Sequence, residues 1–528
     1  MGVSVSEACE ALSQSLQGHW GLLAVAFAGC VVLTGTVAAL ARALGAVAPV
    51  RADRWHDRPV ALHGGVAMMI VAIAVAVASP LGWLPARPGE GLPIEATPVA
   101  WVLLASLGAG FAGLADDLLR FRPATKLALL FAAATIAIVG LGFGRVTGIT
   151  WVDVPLTYAW FLLVANAVNM LDNMDGIAAG ATTAAAVGTA AVAAVLGDGD
   201  VALMALATAA LAAGFLVWNR PRARIFMGDS GSLFLGTMLA GLTALAAGWM
   251  GPAAGPTCDC LVQSMSPLAL SVLLLAFPLA DTAFVSVTRS ARGQSPMVGG
   301  RDHTTHRVAT LAAMVRWSRT RTWLLAIAAM AAGPLSAMAV LPWRDESVPV
   351  VAAAVLAVLA VLAGQSLDRA VPIRSDSDAL VPGTASDVAR TIMARASDGI
   401  SSLRRELLDA VLVGLCAFAG YAIRFGLPLP PDSAMVLRRL LPVTIAACLL
   451  ANAAIGVYEP AGHAPSRWRA ILSRTGSAAA LGFLAAIGLL VLLDWLPVGF
   501  SRAAWGSGLL AWIVVLGIRS ARAAAREP

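Results

Sequence analysis

The segment Trp20-Gly-Leu-Leu-Ala-Val-Ala-Phe-Ala-Gly-Cys-Val-Val-Leu-Thr-Gly-Thr-Val-Ala-Ala-Leu-Ala41 carries no charged side chain and no proline, and Arg42 closes it. Wound as one helix, a run of this length crosses the roughly 30 Å hydrocarbon core of a bilayer. It is continuously apolar rather than alternating, which implies a helix and not a barrel strand. Runs of the same kind recur near 65–84, 99–115, 127–143, 156–171, 177–196, 201–218, 231–250, 267–288, 322–341 and 348–365. Four more follow a polar gap, near 406–423, 437–457, 475–494 and 503–518. The expected fold class is therefore all-α: a polytopic membrane helical bundle of about 11 transmembrane helices plus an appended four-helix membrane bundle.

Composition agrees. Of 528 residues, 59% are hydrophobic and 12% charged, where a soluble domain carries about 25% charged residues. The polar gap 366–405, with Asp368, Arg369, Arg374, Asp376, Asp378, Asp387, Arg390, Arg395, Pro372 and Pro382, reads as a cytoplasmic linker. Three domains are expected, a membrane domain at 1–365, the linker at 366–405, and a four-helix membrane domain at 406–528.

Basic residues set the orientation. With the N-terminus outside and the C-terminus cytoplasmic, the cytoplasmic loops hold 29 of the 36 Lys and Arg residues, and the opposite side holds 7. The expected location is a bacterial inner (plasma) membrane. The first 19 residues contain Glu7 and Glu10 but no Lys or Arg, unlike a signal peptide. Net charge +6 with pI near 9.4 favours anionic lipid and phosphate partners and argues against nucleic acid. The six cysteines show no metal-type spacing.

Acidic and amide groups near membrane spans need a reason, because each Asp at mid-membrane costs roughly 2.5–3.5 kcal/mol. Here they gather at the ends of spans assigned to the cytoplasmic side. Asp116-Asp117 closes the third span, a short way before Lys126, the one lysine of the chain. Asn166-Ala-Val-Asn169-Met-Leu-Asp172-Asn173-Met-Asp175-Gly176 puts 166, 169 and 173 on one helical face with 172 and 175 on its flank. Phe226-Met-Gly-Asp229-Ser-Gly-Ser232 places glycine on both sides of an Asp–Ser pair, which lets the backbone approach a ligand. Arg301-Asp-His303-Thr-Thr-His306-Arg307 lies in the most basic loop. Each motif alone has a bland explanation: a solvated helix end, a cap, a turn, a membrane-face anchor. Together, on one face, they suit hard oxygen ligation of Mg²⁺, with Mn²⁺ as the alternative, and basic groups for phosphate oxygens. Metal-assisted phosphoryl transfer at a membrane surface is the chemistry these groups fit.

With these residues in hand, the sequence resembles the polyprenyl-phosphate N-acetylhexosamine-1-phosphate transferase family, on its GlcNAc-1-phosphate transferase branch. The likeness covers about 20–365 and includes Arg54-Trp-His-Asp-Arg-Pro-Val60 ending at Gly64-Gly65. It implies an enzyme that moves a sugar-1-phosphate from a UDP-sugar to a polyprenyl phosphate. Carried over, Asp229 would be the principal metal ligand with Asn169 as helper. Phe226 would stack on uracil, with Asp172 and Asp175 on the nucleotide and Asn166 on substrate. Asp116, supported by Asp117, would orient the lipid phosphate. His303, His306 and Arg301 would hold pyrophosphate and sugar, and Lys126 would attract phosphate. Thr305 stands where most relatives have histidine. Family habit also implies a homodimer. The four C-terminal spans resemble the membrane region of nucleotide-sugar dehydratases and are expected to dock downstream glycosyltransferases. The rival from another class is a transporter or flippase of lipid-linked sugars. Against it, the acids hug one face and no inverted repeat is evident.

Overall fold

The computed structural model describes residues 19–48, 59–78, 97–251, 261–291, 300, 302–314, 318–341 and 347–370, with separate stretches between 408 and 448 and between 507 and 516. Two compact units are present. Met1–Cys258 with Ser264–Pro349 and Ile373–Pro382 form the first, and Asp259–Gln263 with Val350–Pro372 and Gly383–Pro528 the second.

In chain order the helices are α1 (Trp20–Ala43), α2 (Gly65–Ala78), α3 (Pro98–Leu119), α4 (Pro123–Leu141), α5 (Thr150–Leu171), α6 (Ile177–Val195), α7 (Gly199–Asn219) and α8 (Gly228–Ala246). They continue with α9 (Leu261–Leu274), α10 (Ala276–Ala291), α11 (Thr304–Met314), α12 (Arg319–Met330), α13 (Ala332–Val340) and α14 (Ser347–Ala370). Among the described residues seven helices are long and apolar enough to cross a membrane, or eight if one bent pair counts as a span. This is a helical, multi-pass membrane protein. Large apolar side chains on the outer faces, such as Val32, Leu40 and Val139, are exposed to what would be lipid.

Of the expected C-terminal spans, Val411–Phe425 and Ser507–Leu516 are seen as short apolar helices. The span expected at 475–494 and the linker from 371 to 405 lie outside the described residues.

One expected single span is broken. The run expected at 267–288 is α9 followed by α10, turned by 85° at Leu275. Pro278 supplies the cause, since its ring collides with the carbonyl four residues back and it has no N–H to donate. The run expected at 322–341 is one membrane-length helical span, Thr320–Val340, within which α12 passes into α13 at Ala331, three residues before Pro334.

The first unit is built around α8. Every residue from Ser230 to Ala246 is buried, and α3, α5, α6, α7 and α2 all pack on this helix. Small residues permit that density. A Cβ on Gly236 would come within 2.7 Å of the Ala165 Cα on α5, and one on Gly241 within 2.6 Å of Val102 on α3. At the far end of α8 the fully buried Trp249 meets Trp160 edge-on at 5.7 Å and donates from Nε1 to Ser271 Oγ at 2.9 Å. The near end carries the chain's small β-structure. Strands β1 (Val47–Ala48) and β2 (Val60–Ala61) pair antiparallel with Val47 opposite Ala61, and Ala61 bridges to Ile225.

Candidate active site

The near end of α8 is where three glycines let backbones touch. A Cβ on Gly113 of α3 would stand 2.3 Å from the Asp229 carbonyl oxygen, and one on Gly65 would stand 2.1 Å from the Gly231 nitrogen. Gly228 takes a positive φ of 73°, and a Cβ there would meet Asp117 Oδ2 at 2.7 Å. The loop before α2 is tied to the loop before α8, with Gly64 N–H donating to Phe226 O and Gly65 N–H to Met227 O, each at 2.9 Å. Because residues three and four apart share a helical face, the close approach at Gly113 brings Asp116 and Asp117 onto the first turn of α8.

Asp117 uses that position as a cap. Its Oδ1 accepts from Asp229 N–H at 3.1 Å and its Oδ2 from Ser230 N–H at 3.3 Å, covering orphan donors at the positive end of the helix. His63, with a positive φ of 64°, sets its Nδ1 3.8 Å from Asp117 Oδ2. Asp116 takes a different role. Its Oδ1 accepts from Phe121 N–H at 2.8 Å, which holds the turn between α3 and α4, and its Oδ2 faces Lys126 Nζ at 3.4 Å.

Lys126 also bonds Asp229 Oδ2, so one ammonium joins the two carboxylates. Asn169 on α5 donates from Nδ2 to Asp229 Oδ1 and to Ser232 Oγ, both at 2.8 Å. Asp172, just past the end of α5, belongs to the same field. Burial pushes its carboxyl well above the usual range, and the charges of Asp229, Asp117 and Asp175 add to the rise. The donor set fits a hard divalent cation. Asp229 and Asp116 already flank a positive group, and among the described residues no three His, Cys, Asp or Glu side chains close on one point. Magnesium asks for little more, since it takes one or two protein carboxylates and leaves its other positions to water and phosphate.

The remaining parts of the two central motifs hold loops together. Asp175 Oδ2 accepts from Arg222 N–H at 3.0 Å and Ala223 N–H at 2.9 Å. Asn219 accepts from Gly176 N–H and donates to Ile225 O, both at 2.9 Å, which ties the segment after α5 to the segment before α8. Asn166 turns back on its own helix and donates to Leu162 O at 2.7 Å. Phe226 donates its N–H to Ala61 O at 2.8 Å.

The histidine loop is assembled by α10. His303 Nδ1 lies 2.7 Å from Asp281 Oδ2, while Asp281 Oδ1 accepts from Thr304 N–H at 2.9 Å and Thr304 Oγ1 at 2.5 Å. The His303 and His306 rings lie 5.9 Å apart. Arg289 clasps Asp302 through Nε at 2.9 Å and Nη2 at 2.6 Å. Burial pushes the Asp302 carboxyl up, and the hydrogen bonds and charge of Arg289 outweigh it, leaving it below the usual range. Thr305 Oγ1 donates to Asn173 Oδ1 at 3.2 Å, joining this loop to the end of α5. Arg301 and the segment 54–58 lie outside the described residues.

Polar groups that join the site without being singled out from the motifs include His63, Asn219, Ser232, Arg289, Thr305 as a link, and Asp281. Ser232 and Thr305 stand inside the quoted motifs, and Asp281 carried a signal of its own, a single charged side chain inside an otherwise uncharged run.

Residues 99–247 match the model of glycosyl transferase family 4, a span that contains Asp116, Lys126, Asn169 and Asp229. A Streptomyces coelicolor protein described as a glycosyltransferase is 36% identical over 282 residues, covering 53% of this chain and 62% of that relative. The decaprenyl-phosphate N-acetylglucosaminephosphotransferase of Mycolicibacterium smegmatis is 34% identical over 296 residues, covering 52% of this chain and 71% of the relative. A Bacillus subtilis protein described as an undecaprenyl-phosphate N-acetylglucosaminyl 1-phosphate transferase is 28% identical over 293 residues, 74% of its own length. The chain thus spans less than two thirds of the Streptomyces relative's length.

Proposed function

The chain belongs to the polyprenyl-phosphate N-acetylhexosamine-1-phosphate transferase family, within glycosyl transferase family 4, and from that membership we propose that it transfers N-acetylhexosamine-1-phosphate from a UDP-sugar to a polyprenyl phosphate. UMP is released, and the lipid-linked first sugar of a cell-envelope polysaccharide remains in the membrane. The observation that carries this reading is the meeting of Asp116, Lys126, Asn169 and Asp229 at one end of α8.

The residues divide the work. Asp229, aimed by Asn169 and set on a turn capped by Asp117, would hold Mg²⁺ (or Mn²⁺); the ion, when bound, neutralises the donor's pyrophosphate oxygens. Asn169 would assist it. Lys126 supplies a positive charge beside Asp116, so a lipid phosphate entering here meets an ammonium that attracts it and a carboxylate that keeps it unprotonated and aligned. The lipid phosphate oxygen attacks the sugar-bearing phosphorus, and UMP leaves with the bond's electron pair. Positioning and charge neutralisation contribute most in such transfers. Phe226, Asp172 and Asp175 would receive the nucleotide, Asn166 would line its path, and Arg301, His303 and His306 would hold phosphate and sugar.

The basic-residue bias supports a bacterial inner membrane setting with this site facing the cytoplasm, the N-terminus outside and the C-terminus cytoplasmic. Eleven spans in the transferase part, a linker at 366–405, an appended four-span domain that docks downstream glycosyltransferases, and a homodimer complete the proposal.

The test is an assay of the purified full chain with a polyprenyl phosphate and a panel of UDP-sugars, reading Mg²⁺-dependent UMP release. Release with one sugar, abolished in Asp229→Ala, is expected. No release with any sugar, or full activity in that variant, overturns the reading.

A further inference from the structure

Asp281 stands apart from the acidic cluster and takes no part in the chemistry above. It sits on α10, is 2% exposed, and stands between Ala280 and Thr282 in a run with no other charged side chain until Arg289. A carboxylate so placed is costly unless it is fully bonded, and here it is. One oxygen caps α11 through Thr304 N–H and Oγ1, and the other takes the His303 ring at 2.7 Å. That length belongs to a charge-assisted bond. The cap alone needs only Oδ1, so the contact of Oδ2 with the imidazole asks for a separate reason.

Among the described residues the ring is bound on one side only. His303 is 4% exposed, its Nδ1 is committed to Asp281, and its Nε2 meets no protein partner among the described residues. A carboxylate accepting from Nδ1–H leaves the Nε2 lone pair outward in the neutral ring and supports a second N–H there in the charged ring. The same loop is joined to the end of α5 through Thr305 and Asn173 at 3.2 Å.

We propose that Asp281 is a positioning residue: it fixes the tautomer and orientation of His303, so that Nε2 is presented to the phosphate groups of the substrate. The inference rests on the reading of the histidine loop as a phosphate holder. Asp281 acts on substrate through the contact of Oδ2 with His303 and touches none itself, so this part of its effect vanishes when the imidazole is absent and only the loss of the Oδ1 cap remains. It also differs from a simple helix cap, whose loss would weaken α11 whatever stands at 303.

A double-mutant cycle tests it on the full chain in detergent, with Asp281→Asn, Asp281→Ala, His303→Ala and Asp281→Ala/His303→Ala. Turnover is expected to fall about 10–100-fold in Asp281→Ala, as for loss of a carboxylate behind a ligating histidine. Asp281→Asn, which keeps an acceptor for the Thr304 cap, should recover part of it, and the double variant should lose far less than the product of the two single losses, falling below His303→Ala only by the share of the cap. Losses that multiply in the double variant, with His303→Ala itself impaired, overturn the role of Asp281 and leave the loop reading intact. His303→Ala at full turnover overturns the loop reading and this inference with it.

A second readout needs no activity. In ¹⁵N-histidine-labelled protein the His303 resonances, assigned by their loss in His303→Gln, should report a protonated Nδ1, and Asp281→Asn should change that state. An Nε2–H tautomer with bare Nδ1 in the wild-type chain overturns the proposal directly.

Discussion

Gly113 lies so close to Asp229 that a Cβ on the glycine would stand 2.3 Å from the Asp229 carbonyl oxygen and 2.7 Å from the Ser230 nitrogen. Backbone cannot yield as a side-chain tip can, so Gly113→Ala must push α3 off the first turn of α8. Overpacking of this kind costs about 1–3 kcal/mol, and it moves Asp116 and Asp117 together. Turnover should fall at least ~10-fold, since a displacement near 1 Å can cost more than that. Gly108→Ala on the same helix is the control, because its nearest neighbour is an Ile136 methyl at 3.4 Å; it should retain activity and melting temperature.

Lys126 stands between Asp116 and Asp229, and under the proposed function the metal ion held by Asp229 would compete with it for that carboxylate. Lys126→Met removes the competitor and the phosphate-attracting charge at once. Less Mg²⁺ should then be needed for half-maximal thermal stabilisation, by roughly 10-fold if about 1.4 kcal/mol of competition is lifted, while turnover falls ~100-fold. A thermal-shift titration separates the two effects. An unchanged Mg²⁺ midpoint would refute the competition.

Asp117 holds two N–H groups of α8. Asp117→Ala should lower stability by about 1 kcal/mol, the usual value of a cap at a helix N-terminus. Asp117→Asn keeps one acceptor and should lose less. Denaturation midpoints of the two variants, measured side by side, check the order.

Asp172 gives a prediction that depends on pH. Its carboxyl is raised in the folded chain by burial and by neighbouring carboxylates. A raised acid weakens folding as pH climbs from the unfolded value toward the folded one, because the native state must give up a proton that it prefers to keep. Asp172→Asn carries no such burden. Its melting temperature should exceed that of the wild type at neutral pH, and the gap should shrink as pH falls toward ~4 and close about a unit below it, where the wild-type carboxyl is protonated in both states. Turnover of the variant should fall, since the proposed nucleotide contact is lost.

Much of this fold is legible in the sequence, and what is not has physical causes. Spans such as α1 and α6 declare themselves because lipid demands unbroken apolar runs. The read span 99–115 stops where charge begins, yet α3 runs on to Leu119 and carries Asp116 and Asp117 in its last turns. Hydropathy sees the charge, and the helix continues because those carboxylates find partners. The bend at Leu275 was hidden because Pro278 is as apolar as its neighbours. Asp229, Asn169 and Lys126 could be named from their motifs, but the bonds joining them cross 60 and 103 residues of chain. Asp117 as a cap is similar, with 112 residues between its carboxylate and the N–H it accepts from. Motifs state which groups are present; only packing assigns each oxygen.

The complete burial of α8 bears on how the protein is made. A helix with no face left for lipid gains little by partitioning into the bilayer, and must pass from the insertion machinery onto protein. The five helices that form most of its packing precede it in the chain, and α9 follows with a hydrogen bond from Ser271 Oγ to Thr243 O at 2.9 Å. Most of its berth can therefore be in place before Gly228 is synthesised, and α8 can dock as it emerges, carrying Asp229 into place with it.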